Sequence, residues 1–216
     1  MPPPRSFDQP APAAPFAVMA WHYALVALPL VLALVLVNAA VGADRAVYAF
    51  FSAQRDAHPL VKAGLRGVTD WGNALFYVVY AALLARGLAT GDKPLVRFVL
   101  LYGAAQLVVA LCLVHGIKIA IGRPRPDVEG FFQPFSTASA FNSLPSGHTT
   151  EIMGAALPLA LWRRRVWLSL ALGGVVALVG FSRLYLGMHH ISDVAFGLAL
   201  GSLAGCAVIA FWNRNP

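Results

Sequence analysis

The sequence predicts an all-α fold, a polytopic membrane helix bundle of about six transmembrane helices, and three observations carry that prediction. Hydrophobic residues fill 59% of the 216 positions and charged residues only 12%, whereas a soluble domain averages about 25% charged. Mean hydropathy is +0.69. Six apolar runs, each near the roughly 20 residues that a bilayer crossing needs, alternate with short polar connections. No separate soluble domain is expected. The formal net charge of +7 fits positive cytoplasmic loops, anionic lipid headgroups and a phosphate site; nucleic acid is not an expected partner. Cys112 and Cys206 lie in apolar runs without a CxxC pattern and read as core thiols.

Residues 1–17 are rich in Pro and Ala and lack periodicity, so a disordered tail is expected ahead of one transmembrane domain over residues 18–216. Residues 21–43 form the first span. Val41 and Ala43 mimic a signal-peptidase site, but the apolar run exceeds the roughly 7–15 residues of a signal core, which favours an uncleaved helix. Residues 44–71 mix Arg45, Arg55, Asp56, Lys62, Arg66 and Asp70 with apolar residues, the pattern of an amphipathic connection on the membrane surface. Spans two and three are expected over residues 73–88 and 95–121. The fourth begins near His148 and ends at Arg163-Arg164-Arg165, the fifth covers 166–181 or slightly more, and the sixth covers 189–212. Residues 182–188 fit either an extension of a helix or a short turn.

Lys and Arg in the short loops orient the bundle. Arg163, Arg164 and Arg165, with Arg86, Lys93 and Arg97, mark cytoplasmic loops, and Arg5 and Arg214 place both termini on that side. Counting spans from a cytoplasmic N-terminus puts residues 118–148 and 182–189 together on the opposite face. Polar groups far apart in sequence therefore converge on one membrane surface.

Their chemistry suits a phosphate. Lys118, Arg125 and Arg183 supply three fixed cations, and each arginine offers an oxyanion two donors. Ser146 and Gly147 precede the fourth span, where backbone N–H groups and the positive helix end favour an anion and glycine permits close approach. His189 and Asp193 stand four residues apart and share a face if helical, so the carboxylate can hold one imidazole nitrogen protonated while the other attacks. His148 can protonate the leaving oxygen and then activate water.

The spacings Lys118-x6-Arg125-Pro126, Pro145-Ser146-Gly147-His148 and Ser182-Arg183-x5-His189-x3-Asp193 resemble the three-part signature of the type-2 phosphatidic acid phosphatase superfamily. The resemblance implies that His189 forms a phosphohistidine, Asp193 supports it, and His148 is the general acid and base. It further implies that Lys118, Arg125, Ser146, Gly147 and Arg183 bind the phosphoryl group. Members with this membrane layout act on lipid phosphates or diphosphates at the periplasmic or outer face and need no magnesium. The expected partner is thus a lipid phosphate in a bacterial-type inner (plasma) membrane, with no cofactor and no metal. Undecaprenyl diphosphate is the first expected substrate on family frequency; phosphatidic acid, phosphatidylglycerophosphate and lipid A phosphate belong to the same class. The sequence does not indicate an oligomeric state.

Other residues near the signature have simpler readings. Arg123 reads as a headgroup or loop contact, His190 as a support for its neighbour, His115 as a satisfied interior residue, and His22 as part of an interfacial belt. Glu151 either complements a helix dipole or raises the pKa of His148. A metal triad of His148, His189 and Asp193 is disfavoured by the three nearby cations. A lipid phosphotransferase would use the same phosphohistidine. A non-enzymatic phospholipid-binding or transport protein would explain the cations but not the pairing of His189 with Asp193. The signature also occurs in vanadate-dependent haloperoxidases, against which the spanning composition argues.

Overall fold

A computed structural model describes residues 15–214, and among these every regular element is helical. Helix α1 (Phe16–Val41) carries Pro29 in its interior, which spanning helices tolerate. Most of the expected N-terminal tail, residues 1–14, lies outside the described residues. After the turn at Gly42, the amphipathic α2 (Asp44–Ala57) buries Val47, Phe51 and Arg55 at four-residue spacing. The Arg55 guanidinium caps the end of a distant helix by donating to the Tyr185 carbonyl at 2.6 Å.

The second span differs from the sequence expectation. Helix α3 (Pro59–Thr90) starts 14 residues before residue 73, so the expected surface connection divides between α2 and the first turns of α3. Pro59 at the helix start presets φ for a new helix. Nothing stops that helix before Gly91, which closes it in the left-handed conformation. Asp92 then caps α4 (Lys93–Ala105), its carboxylate accepting the Leu95 N–H at 2.9 Å. A π-helical stretch, Gln106–Leu113, joins α4 to α5 (Val114–Ile121) in one continuous 29-residue rod.

The α5–α6 loop folds back on the rod. Gly122 has φ +62° and sits against the Gln133 carbonyl so closely that a Cβ would overlap it. Phe135 donates its N–H to the Ile119 carbonyl and Arg125 to that of Ala140. Helix α6 (Gly147–Arg163) follows, then α7 (Val166–Tyr185) and α8 (Ile191–Asn213).

Among the described residues, five helical segments are long and apolar enough to cross a membrane. The sixth crossing is α6, whose 17 residues reach about 25 Å. It is the centre of the bundle: Ile152, Met153, Ala156, Leu157 and Ala160 are all fully buried. Helices α6 and α8 run parallel and very close because α8 presents Gly197, Gly201 and Gly205 to α6. A Cβ on Gly201 would lie 2.5 Å from the Thr150 carbonyl oxygen, and one on Gly197 2.5 Å from that of Ser146. Small residues at such intervals are how membrane helices reach close contact. Helix α1 packs on α7 in the same way, at Gly173 against the Leu25 carbonyl. The chain is a multi-pass membrane protein.

Two minor expectations are corrected by this packing. Cys112 and Cys206 are exposed on the bundle exterior rather than in its core, where a thiol faces lipid without cost. His22 is buried and bonded to Ser169 Oγ at 2.8 Å, so it ties α1 to α7 instead of joining an interfacial belt.

Candidate active site

The helix packing brings the ends of α5 and α7 and the beginnings of α6 and α8 to one end of the bundle. A cavity of about 500 Å³ opens there, lined by Lys118, Arg125, Gly147, His148, Arg183 and His189, among others. Six of the eight residues singled out from the sequence therefore face one space. The other two, Ser146 and Asp193, are fully buried directly behind it.

Lys118 and Arg183 are each held by one side-chain bond that leaves other donors over. Lys118 Nζ donates to the Asn142 carbonyl at 2.9 Å. Arg183 donates Nη1 to Thr69 Oγ1 at 3.1 Å, and Thr69 in turn bonds Ser182 Oγ at 2.9 Å. The Nε atoms of Arg125 and Arg183 are buried with no hydrogen-bond partner. A buried guanidinium N–H without an acceptor is costly, and an oxyanion in the cavity would supply one.

His189 does not lie on a helix, as its spacing to Asp193 suggested. Helix α7 ends at Tyr185, Gly187 turns the chain at φ +69°, and α8 begins only at Ile191. Asp193 is the third residue of α8, and its Oδ2 reaches back to the His190 N–H at 2.9 Å, as an N3 carboxylate does in a capping box. His189 Nδ1 faces the same oxygen at 3.6 Å, a short closure away from a hydrogen bond. Nε2 is the other ring nitrogen. Burial pushes the His189 imidazole down to about 4; the Asp193 carboxylate opposes that shift, while Arg183 and Lys118 reinforce it.

Asp193 is saturated by residues the signature spacing did not point to. Arg123 donates to its Oδ1 at 2.8 Å, and Ser143 Oγ to its Oδ2 at 2.5 Å. Arg123 also bonds Ser192 Oγ at 2.6 Å and Asp44 Oδ2 at 3.0 Å. It is thus an interior clamp rather than a headgroup or loop contact. The sequence holds no signal that separates the two: Arg123-Pro124-Arg125-Pro126 repeats one Arg-Pro pair, and in an extended segment residues two apart share a side, so only the tertiary partners tell Arg123 from Arg125. His190 does support its neighbourhood, with Nε2 on the Pro124 carbonyl at 3.1 Å.

Ser146 also differs from expectation. Its N–H donates to the Asp193 carbonyl at 2.9 Å and its hydroxyl accepts from Thr149 Oγ1 at 2.9 Å, so it joins α6 to α8, and Gly147 rather than Ser146 lines the cavity. His115 is exposed at the cavity edge rather than interior, bonded to the Leu111 carbonyl at 2.8 Å.

Three separated segments thus converge on one cavity, and a family model, the PAP2 superfamily, matches residues 95–216, more than half of the chain. The chain belongs to the PAP2 superfamily. A PAP2-type phosphatidylglycerolphosphate phosphatase of known structure from Bacillus subtilis superposes with a TM-score of 0.59 at 25% identity, covering 88% of this chain and 96% of that one. Among curated relatives, a lipid A 1-phosphatase of Rhizobium johnstonii is 42% identical over 42% of this chain and 38% of its own length. An undecaprenyl-diphosphatase of Bacillus subtilis is 29% identical over 62% of this chain and 65% of its own. The chain therefore matches well under half of the lipid A 1-phosphatase and just under two thirds of the undecaprenyl-diphosphatase.

Proposed function

We propose that the chain is an integral membrane phosphatase that hydrolyses a lipid phosphomonoester or diphosphate through a phosphohistidine intermediate. The single observation that carries this reading is the cavity itself: three cations and two histidines line one space, with Asp193 buried behind one histidine.

In this mechanism Arg125, Arg183, Lys118 and the amides from Gly147 hold the phosphoryl oxygens. They offset the charge that builds on the equatorial oxygens during transfer. His189 Nε2 attacks phosphorus in line as the P–O bond to the lipid breaks, and His148 gives its proton to the leaving oxygen. Asp193, facing Nδ1, stabilises the positive charge on the phosphorylated ring. His148, now neutral, takes a proton from water, which attacks the phosphohistidine and releases inorganic phosphate. Arg123 and Ser143 are positioning residues that fix Asp193, and Ser146 holds the α6 start. The cations supply the charge stabilisation that a metal would otherwise provide, so the reaction is metal-independent in this account.

The cationic loops, Arg163 to Arg165 and the α3–α4 turn, lie at the end of the bundle opposite the cavity. By the positive-inside rule the site then faces the periplasm or outer surface of a bacterial inner membrane. The test is phosphate release by the solubilised chain from a panel of lipid phosphates with EDTA present. Wild-type release that His189→Ala abolishes is expected; release that survives His189→Ala, or that EDTA stops, would contradict the proposal.

A further inference from the structure

One wall of the cavity carries no cation. Glu151 stands on α6 three residues after His148 and lines the same space, together with Tyr77 and Gln106. A carboxylate beside a phosphate site is repulsive to the anion, so its presence needs a reason. No ion pair reaches it among the described residues. Its two oxygens accept from the Asn73 amide and the Tyr77 hydroxyl of α3, and each keeps a further lone pair.

The neighbouring amides add acceptors rather than donors. Gln106 gives Nε2 to the Glu151 carbonyl at 3.0 Å, which leaves its Oε1 buried without a partner. Gln106 is 8% exposed and lines the cavity. Asn73 likewise commits Nδ2 to Glu151 and keeps an unpartnered, buried Oδ1. This wall therefore presents a carboxylate and an orphaned carbonyl oxygen, and it wants hydrogen-bond donors.

Its position says which part of a substrate would meet it. Glu151 lies about 4.5 Å further along α6 than His148, toward the bilayer interior. His148 faces the leaving oxygen in the mechanism above, so Glu151 faces the atoms just beyond that oxygen on the lipid side.

Building on the phosphatase reading, we propose that Glu151, Gln106 and Tyr77 form a leaving-group subsite. It selects phosphomonoesters whose alcohol carries an O–H or N–H near the scissile oxygen, as glycerol and amino-sugar headgroups do. A polyprenyl diphosphate would instead place its second phosphate against the carboxylate, a like-charge contact costing several kcal/mol. Phosphatidic acid would offer only ester oxygens to an acceptor wall. The favoured substrate is then not the diphosphate first expected from the sequence.

The experiment is phosphate release from phosphatidylglycerophosphate and from undecaprenyl diphosphate, measured as the ratio of kcat/KM for the two lipids in each preparation. That ratio is independent of the folded fraction. Wild type is expected to favour the glycerol-bearing monoester, and Glu151→Gln to reduce that preference by about tenfold or more, since the like-charge contact disappears. Tyr77→Phe, which keeps the carboxylate, is expected to retain the discrimination against the diphosphate. A wild type that prefers the diphosphate, or a ratio unchanged in Glu151→Gln, would overturn the subsite while leaving the phosphatase reading intact. No release from either lipid by wild type would overturn both.

Discussion

Asp193 and the cavity cations are neighbours, yet the protein completes their bonding very differently. Both Asp193 oxygens are occupied, by Arg123 on one side and by Ser143 and the His190 N–H on the other. Arg125 and Arg183 instead keep buried Nε donors with nothing to bond. Burying a charge is tolerable only when its hydrogen bonds are made. A saturated buried charge is therefore part of the framework, whereas these Nε donors stay able to take an acceptor in the cavity. The same distinction separates Arg123 from Arg125, two residues away.

Three substitutions or conditions sharpen this contrast. Arg123→Ala would strand a buried carboxylate, and removing one partner of such a pair typically costs about 3–5 kcal/mol. The expected result is a large fall in thermal stability, with activity reduced in whatever remains folded. Arg183→Ala removes a donor that the framework uses only once, through Thr69. Its expected effect is catalytic, a loss of about 10²–10³ in kcat, with a smaller loss of stability. If Arg183→Ala destabilises as much as Arg123→Ala while kcat is kept, the contrast fails.

The third and smallest effect is on pH dependence. In the proposed mechanism His189 attacks as the neutral imidazole, and its pKa is lowered from the ordinary 6.5 to about 4. Activity from this group is therefore present above that value and is lost as the pH falls through about 4, not through 6.5. Because Arg183 contributes to the lowering, the acid limb of kcat/KM in Arg183→Ala is expected to move to higher pH. A wild-type limb near 6.5 would mean that His189 is better hydrated than its burial implies.

Much of this architecture was legible from residue patterns. Apolar runs of span length gave six crossings, because a bilayer demands length and hydrophobicity whatever the packing. The three signature segments gave six residues that line the cavity. What escaped is set by tertiary structure. The start of α3 was hidden because Lys62, Arg66 and Asp70 read as surface, although a helix of 32 residues is longer than the bilayer and carries them beyond it. The His189–Asp193 spacing looked like one helical turn, whereas the pair arises from a turn residue and a capping carboxylate. Nothing local to Gln106–Leu113 announces its π-helical winding, and the bond from Gln106 to the Glu151 carbonyl of α6 is a tertiary contact no local pattern shows. The burial of Ser146 behind the cavity was hidden because the partner of its amide is the carbonyl of a residue 47 positions away in the chain.

The central claim is that His189 carries the phosphoryl group, and the most direct measurement is a rapid quench followed by mass spectrometry of the protein. His148→Ala, which lacks the group proposed to activate water, should accumulate the intermediate on a substrate with a good leaving group. The account predicts an acid-labile phosphoryl group on the peptide containing His189. Phosphate release with no protein-bound phosphoryl group in either wild type or His148→Ala, or a phosphoryl group on another residue, would contradict it.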